Sequence, residues 1–287
     1  MPFAATRRRL PSCARCALSE PLQSFDPKAT YDAASRDYEE ASRDYWQYLS
    51  HRTVARAALQ PGERVLDVPC GTGPALLPAA EAVGTTGSVL GVDYAEQMLA
   101  IARDRVRSAG ATNIELDIGD MTRLGLPQGS FDAVVCVLGI FFVPDMPATL
   151  RSFWDLLRPS GRLAVTVLGH AFFDPIRDVF VEAVAAEEPD LHVVQPWART
   201  EDVATFRAIF EEAGLPAPEI ESESERMPLL APDHWWRLVM GTGLRRTVAA
   251  LDLETAARVR RAGDAYVADH VVREVVLDAH YALVRKP

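Results

Sequence analysis

The chain has 287 residues, of which 48% are hydrophobic and 24% are charged, enough for one large α/β core with additions. Its formal net charge of −10 argues against a nucleic-acid partner, because contacts with phosphates need a basic surface. No apolar run reaches the length of a membrane span, so we expect no transmembrane helix.

Residues 1–24 contain three prolines and show no hydrophobic periodicity, so we predict a poorly ordered head. Cys13 and Cys16 form a lone Cys-x-x-Cys pair there, with no second pair or histidine nearby, and we expect no zinc site. Cys70 falls in a predicted turn and Cys136 in a predicted buried strand. The four cysteines therefore favour reduced thiols and a cytoplasmic protein.

A seven-residue repeat follows the head, in which Ala34–Glu40 is repeated by Ala41–Gln47. Seven residues make nearly two helical turns, so Tyr31, Tyr38 and Tyr45 lie on one face of a predicted helix. We expect this face to pack against the rest of the protein.

From Glu63 to Leu168, strand and helix patterns alternate regularly, which predicts a parallel sheet. The predicted strands are 64–68, 88–92, 113–117, 131–137 and 161–167, and the predicted helices are 74–83, 95–109 and 146–158. After Leu168 the pattern changes. Predicted helices lie at 175–187, 201–213, 233–247 and 253–269, and predicted strands at 218–227 and 273–284.

The strongest local signal is Val65–Pro74, where an apolar run enters a tight, glycine-containing turn. A second apolar run, Ser88–Val92, ends at Asp93. Glycines let the backbone approach a ligand closely, and an acid at the end of the next strand suits a ribose diol. A dinucleotide site needs Gly-x-Gly-x-x-Gly, but counted from Gly71 the third position is Leu76. We therefore expect a nucleoside-containing cofactor other than a dinucleotide.

The turn Asp67-x-x-Cys70-Gly71-Thr72-Gly73 resembles motif I of the class I S-adenosylmethionine-dependent methyltransferases, with Pro69 in place of the first glycine. Other segments match the family in order and spacing: Gly91–Leu99, Gly119–Met121, Phe131–Cys136 and Leu157–Leu163. The resemblance covers residues 31–168. It implies an α/β fold with a Rossmann-like, mostly parallel seven-stranded sheet, an antiparallel last strand and helices on both faces.

The family also implies a helical N-terminal cap and C-terminal lid insertions. We expect a single methyltransferase domain over residues 25–287. Within it, residues 25–60 form the cap, 61–168 the S-adenosylmethionine-binding core, and 169–287 the lid insertions and C-terminal strands.

The resemblance implies S-adenosylmethionine as cofactor and S-adenosylhomocysteine as product. Asp67 would lie near the ammonium group, the backbone from Pro69 to Gly73 would cradle the amino-acid part, and Asp93 would hold the ribose. Met98 would pack on the adenine, although it fits a helix core equally well. The expected cofactor-binding residues are Tyr38, Asp67, Pro69, Cys70, Gly71, Gly73, Asp93, Tyr94, Met98, Asp120, Met121, Val137 and Leu138.

Aromatic residues are frequent beyond the fourth predicted strand, and they predict an apolar or aromatic acceptor pocket. Such residues also serve commonly as core packing. The predicted substrate-binding residues are Phe141, Phe142, Trp197, Trp235 and Trp236. His170 follows the fifth predicted strand and is the candidate catalytic base. No cluster has metal-ligand spacing, so we expect no metal.

The resemblance implies an enzyme that transfers a methyl group by in-line displacement, and the aromatic content suggests a small, apolar or aromatic acceptor. The motifs are most similar to methyltransferases of ubiquinone and menaquinone biosynthesis and of specialised metabolism. Two alternatives remain open: a methyltransferase of protein or RNA, and a relative that binds S-adenosylmethionine without methylating. The choice among C-, N- and O-methylation is open, as is the oligomeric state, monomer or homodimer.

Overall fold

The computed structural model describes residues 26–287, so the predicted head at 1–24, with Cys13 and Cys16, lies outside the described residues. The strands in chain order are β1 (Arg64–Asp67), β2 (Ser88–Asp93), β3 (Ile114–Ile118), β4 (Phe131–Val137), β5 (Leu157–Leu168), β6 (Glu219–Pro228) and β7 (Glu274–Arg285).

The helices in chain order are α1 (Pro27–Ala57), α2 (Leu76–Val83), α3 (Glu96–Ala109), α4 (Met146–Leu156), α5 (Ile176–Glu187), α6 (Val203–Glu212), α7 (His234–Met240), α8 (Arg245–Ala250) and α9 (Leu253–Asp269). Short 3₁₀ turns occupy Ile140–Phe142 and Pro196–Arg199. Between residues 26 and 287, no helix combines the length and apolar character that crossing a bilayer requires.

The strands form one sheet in the order β3-β2-β1-β4-β5-β7-β6. Neighbours from β3 to β5 pair in parallel, whereas β7 is antiparallel to both β5 and β6. The predicted fold class, a mostly parallel seven-stranded sheet with an antiparallel last strand, is confirmed.

Alternate residues of the inner strands face opposite sides of the sheet. Val65 and Val135 pack with buried residues of α2 and α3, whereas Leu66 and Val134 pack with those of α4 on the other side. Both faces are therefore covered by helices, as buried parallel strands require. The candidate site lies beyond the C-terminal ends of the parallel strands.

The long helix α1 begins at Asp26, whose carboxylate accepts a hydrogen bond from the Ala29 N–H at 3.2 Å. Its C-terminal half is fixed to the sheet, because Thr53 on the helix and Thr166 on β5 share a hydrogen bond of 2.6 Å between their buried hydroxyls. The Tyr45 hydroxyl donates to the carbonyl of Pro228 at 2.8 Å, which ties the same helix to β6.

Strand β6 is an edge of the sheet and carries glutamates at alternate positions: Glu219, Glu221, Glu223 and Glu225. Arg52 and Arg56 of α1 both pair with Glu223. Hydrogen bonds from these two guanidinium groups lower the pKa of Glu223 to about 2. The acidic edge strand therefore holds the helix electrostatically.

We expect Glu223→Gln to lower the free energy of unfolding by about 1–2 kcal/mol at neutral pH, less than the full pKa shift implies because Arg52 is exposed to screening. The carboxylate's contribution is complete above its ordinary value of 4.5 and is lost as the pH falls towards 2. Urea unfolding at neutral and acidic pH measures this, with Glu219→Gln as the exposed control on the same strand. An equal loss of unfolding free energy in Glu223→Gln and Glu219→Gln would contradict the view that the ion pairs of Glu223 stabilise the protein.

The sequence-based predictions fail most clearly at two places in the chain. The predicted helix 146–158 ends at Leu156, because the chain enters β5 at Leu157, where the sequence suggested a strand only from 161. The predicted helix 233–247 is broken into α7 and α8 at Gly241. A Cβ at Gly241 would lie 2.9 Å from the carbonyl oxygen of Asp37, so the chain passes closely over the backbone of α1 at this point.

Candidate cofactor and acceptor site

A cavity lies where four parallel strands end, and the space between its walls, part of it open to solvent, is about 930 Å³. Asp67, Asp93, Val137 and Leu168 are the last residues of β1, β2, β4 and β5, and all four line this cavity. In open α/β sheets, ligands bind beyond the carboxyl ends of the strands where the strand order reverses, here between β1 and β4.

The structure brings most of the predicted cofactor residues to this cavity. Those that line it are Tyr38, Asp67, Pro69, Cys70, Gly71, Asp93, Tyr94, Met98, Met121, Val137 and Leu138. Gly73 and Asp120 do not. Gly73 is buried in the turn with φ +82°, and the Asp120 carboxylate accepts hydrogen bonds from the N–H and hydroxyl of Thr122 at 2.9 and 2.7 Å.

Asp93 fixes the turn after β1. One carboxylate oxygen accepts the Gly71 N–H at 2.8 Å and the other accepts the Ala95 N–H at 2.9 Å. Burial raises the pKa of Asp93 even though these N–H groups act to lower it. A carboxylate has about four acceptor positions, so these backbone N–H groups leave acceptor capacity for a ligand hydroxyl in the cavity.

Asp67 is the more unusual acid, because it is only 1% exposed and its Oδ2 has no hydrogen-bond partner among residues 26–287. Burial, together with the nearby charge of Asp93, raises the pKa of Asp67 well above its usual range. A buried carboxylate oxygen without a partner is costly unless a ligand donates to it. The site is therefore suited to a cationic donor at this point.

The N-terminal half of α1 forms the roof of the cavity through Pro27, Tyr31 and Tyr38, with Trp46 and Ser50 further along the helix. Three contacts hold this half down. The Asp32 carboxylate accepts the Gln97 N–H at 2.9 Å, Glu39 pairs with Arg105 at 2.7 Å, and Asp37 pairs with Arg245 at 2.7 Å. The repeat predicted a packed aromatic face, but Tyr45 turns to β6 while Tyr31 and Tyr38 face the cavity.

Aromatic rings line the remaining part of the cavity. Of the predicted substrate residues, Phe141, Phe142 and Trp197 line it, whereas Trp235 and Trp236 do not. Trp235 is fully buried: its indole N–H donates to Asp264 at 2.9 Å, and its ring lies against Gly263 of α9. These two tryptophans pack the helices after β6 together instead.

His170 also lies away from the cavity. Its side chain is 81% exposed, and its Nδ1 lies 3.2 Å from the Glu201 carboxylate. Since a general base must reach the reacting proton, this geometry gives no support to the predicted role of His170. No histidine, lysine or arginine among the described residues lines the cavity.

Sequence reasoning missed several lining residues: Pro27, Ser50, Pro74, Ala75, Ala95, Leu168, Thr242 and Gly243. Trp46 was missed as well, although it lies eight residues after Tyr38 on the same helix and contacts it with a ring separation of 5.5 Å. Helical spacing from Tyr38 favours Tyr45, seven residues further on, and so does not indicate Trp46 or Ser50. Thr242 and Gly243 arrive from a distant loop, which local spacing cannot indicate.

Comparison with known proteins agrees with this geometry. Residues 65–161 match the family described as Methyltransferase domain. Demethylmenaquinone methyltransferase of Listeria monocytogenes is 33% identical over 175 residues, which are 57% of this chain and 74% of that enzyme. The chain belongs to the class I S-adenosylmethionine-dependent methyltransferases. The resemblance predicted from the motifs is thus confirmed.

Aklanonic acid methyltransferase DauC of a Streptomyces species is 37% identical over 136 residues. Those residues are 47% of this chain, and the chain spans only 62% of the length of that relative. A solved S-adenosylmethionine-dependent methyltransferase from Aquifex aeolicus shares the fold with a TM-score of 0.51, at 16% identity, over 91% of this chain and 99% of that one.

The methyltransferase cavity fits the family cofactor, S-adenosylmethionine. The unpartnered Asp67 Oδ2 suits an ammonium group, and the fixed Asp93 carboxylate suits a ribose diol. Gly71 has φ +55°, and a Cβ there would reach no closer than 3.9 Å to Met98, so the cavity passes directly over its backbone. In the described part of the chain, no three His, Cys, Asp or Glu side chains are grouped to hold a metal ion.

Proposed function

We propose that this methyltransferase transfers the methyl group of S-adenosylmethionine to a small-molecule acceptor. The observation that carries this proposal is the continuous cavity, in which an acidic part beside Asp67 and Asp93 meets an aromatic part beside Phe141, Phe172 and Trp197. Aklanonic acid and demethylmenaquinone, in the names of two relatives, are small molecules, which also supports such an acceptor.

Bound S-adenosylmethionine would supply an electrophilic methyl group on a sulfonium centre. Asp67 would accept its ammonium, Asp93 its ribose hydroxyls, and Met98 and Met121 would pack on the adenine. Val137 and Leu138, at the end of β4, would lie between the cofactor part and the aromatic part. We propose that residues 25–60 cap the site, 61–168 bind the cofactor, and 169–287 complete the acceptor pocket in a single domain.

The chain's contribution to the reaction is then positioning and exclusion of water. The roof formed by α1 and the aromatic walls would hold the acceptor close to the methyl group, which accounts for much of the acceleration in such displacements. Tyr31 and Tyr38 line the cavity, and burial raises the pKa of both, which makes their phenolates unavailable as bases at neutral pH.

Asp67 makes cofactor binding dependent on pH. Its raised pKa keeps the free carboxyl protonated well above the ordinary value of 3.8, and it must release that proton to receive a cation. We expect S-adenosylhomocysteine affinity to rise with pH through this range, and Asp67→Asn to flatten the dependence while lowering affinity roughly 10-fold at neutral pH. Calorimetric titration between about pH 5 and pH 8 tests this.

The matched control is Asp117→Ala, an exposed acid on β3, which should leave the pH profile unchanged. If the affinity of Asp67→Asn for S-adenosylhomocysteine still rose with pH as steeply as that of the wild type, the proton would be taken up by another group.

The proposed function is tested by incubating the protein with methyl-labelled S-adenosylmethionine and cell extract separated into small-molecule, protein and RNA fractions. We expect label in the small-molecule fraction, and mass spectrometry of that fraction then identifies the product. Label in protein or RNA would overturn the acceptor class. If no fraction carries label although the protein binds S-adenosylhomocysteine, the protein would instead be a member of the family that does not methylate.

A further inference from the structure

Arg199 joins two turns that are distant from each other along the chain. It ends the 3₁₀ turn Pro196–Arg199, which lies between α5 and α6, and it reaches the turn that follows β4. Its Nη1 donates to the carbonyls of Phe141 and Val143 at 3.2 and 2.7 Å, and its Nη2 donates to the carbonyl of Pro144 at 3.0 Å. One side chain therefore binds three carbonyls of a single short segment.

The segment that Arg199 binds lies outside the regular elements of the fold. Val143 and Pro144 follow the 3₁₀ turn Ile140–Phe142. They precede Asp145, the N-cap of α4, so their carbonyls belong to no helix or strand. Backbone carbonyls at such places need a donor from a side chain or from water. Since Val143 is buried, we infer that its carbonyl depends on the donor that Arg199 supplies.

Both of the turns that Arg199 joins contribute walls to the cavity. Phe141 of the first turn and Trp197 of the second are buried, and both line the cavity. The backbone of Trp197 is fixed close to Arg199, because its carbonyl accepts the N–H and the hydroxyl of Thr200 at 2.9 and 3.1 Å. Arg199 itself does not line the cavity. Any effect of Arg199 on a ligand must therefore pass through the residues that it holds.

The guanidinium of Arg199 is partly buried without a counter-ion. Desolvation lowers the pKa of Arg199, and no carboxylate within residues 26–287 forms an ion pair with it. Removing a charge from water without pairing it costs free energy. A guanidinium nevertheless offers what a neutral side chain does not, a planar fork of five N–H donors that binds several acceptors in fixed directions. This arrangement favours a role in fixing geometry over a role in stability.

We propose that Arg199 is a positioning residue for methyl transfer, which fixes Phe141 and Trp197 around the acceptor by holding their two turns together. The inference rests on the proposed function and adds to it a residue outside the cavity. In-line displacement needs the acceptor atom close to the methyl group, so a shifted wall lowers both the affinity for the acceptor and the maximal rate. Asp67 and Asp93 lie on β1 and β2, so the cofactor affinity should change little.

Kinetics of Arg199→Ala and Arg199→Lys test the proposal. The rate of methyl transfer is measured against the amount of the small-molecule extract fraction, with S-adenosylmethionine at saturation. We expect Arg199→Ala to raise the half-saturating amount of this fraction about 10-fold and to lower the maximal rate. Arg199→Lys keeps the charge but not the fork, so its effects should be smaller. The affinity for S-adenosylhomocysteine, measured by calorimetry, should stay within about twofold in both variants.

Arg207→Lys is the matched control. Arg207 also donates to a backbone carbonyl, that of Pro218 at 2.9 Å, but neither of these residues lines the cavity. This variant should keep the half-saturating amount and the maximal rate of the wild type. A merely structural role of Arg199 would lower only the maximal rate, in proportion to the folded fraction, which the stoichiometry of S-adenosylhomocysteine binding reports. That result would overturn the proposal.

The outcomes separate this inference from the proposed function. If the wild-type protein labels no small molecule, the proposed function fails and the role of Arg199 fails with it. If the wild type transfers label and the folded variants keep its half-saturating amount, the proposed function stands and only the role of Arg199 is wrong. Should Arg199→Ala not fold, the half-saturating amount of Arg199→Lys decides between these outcomes.

Discussion

Asp93→Ala is expected to weaken S-adenosylhomocysteine binding at least about 100-fold, because a carboxylate accepting two ribose hydroxyls contributes about 1.5–3 kcal/mol for each hydrogen bond. The same carboxylate accepts the N–H groups of Gly71 and Ala95, so its loss also releases the turn that we propose to hold the cofactor. Calorimetric titration of the folded variant measures the effect.

Asp117→Ala is again the control, since that carboxylate is exposed and accepts the N–H of Ile118 at 2.8 Å. The affinity of this control variant for S-adenosylhomocysteine should stay within about twofold of the wild-type affinity. Wild-type affinity in a folded Asp93→Ala protein would mean that the end of β2 does not hold the ribose.

The second large effect is expected at Gly139, directly after Leu138. A Cβ there would lie 2.1 Å from Cδ and 2.4 Å from Cγ of Pro69, the residue that replaces the first glycine of motif I. A proline ring has no free side-chain rotation, so it cannot move away from the new methyl group. The backbone at Pro69 or at Gly139 must therefore shift. We expect Gly139→Ala to lower the free energy of unfolding by about 3 kcal/mol, at the upper end for overpacked sites, with a loss of cofactor affinity.

Pro69→Gly provides the matched test, because it removes the ring that the new methyl group meets. The double variant Pro69→Gly, Gly139→Ala should recover most of the stability lost by Gly139→Ala, giving a coupling of about 1–2 kcal/mol in a double-mutant cycle measured by urea unfolding. Additive losses would show that the two residues do not interact.

Much of the cofactor part could be predicted from local sequence. Asp67 and Asp93 end neighbouring apolar runs, and parallel strands have their carboxyl ends on the same side of a sheet, so strand spacing together with the resemblance to motif I placed the two acids in one site. Helical periodicity similarly placed Tyr31 and Tyr38 on one face of α1. In each of these pairs the two residues are connected by short, regular helices or strands, so their relative positions follow from their spacing along the chain.

The acceptor part could not be predicted in this way. Trp197 and Trp235 both lie in segments beyond the parallel strands, yet Trp197 faces the cavity while Trp235 packs on Gly263. That difference depends on how separate helices pack against each other, which single-residue hydrophobicity does not encode. His170 follows a strand end as the acids do, but the chain turns its side chain to solvent.

The glutamates at alternate positions of β6 have a consequence for the protein at high concentration. An edge strand presents unpaired backbone groups on which a strand of another molecule can add. If two copies met along β6, Glu219 and Glu225, which the arginines of α1 do not neutralise, would bring like charges together across the new pair, and this opposes the pairing. We therefore expect the strand that holds α1 in place also to disfavour aggregation along this edge of the sheet.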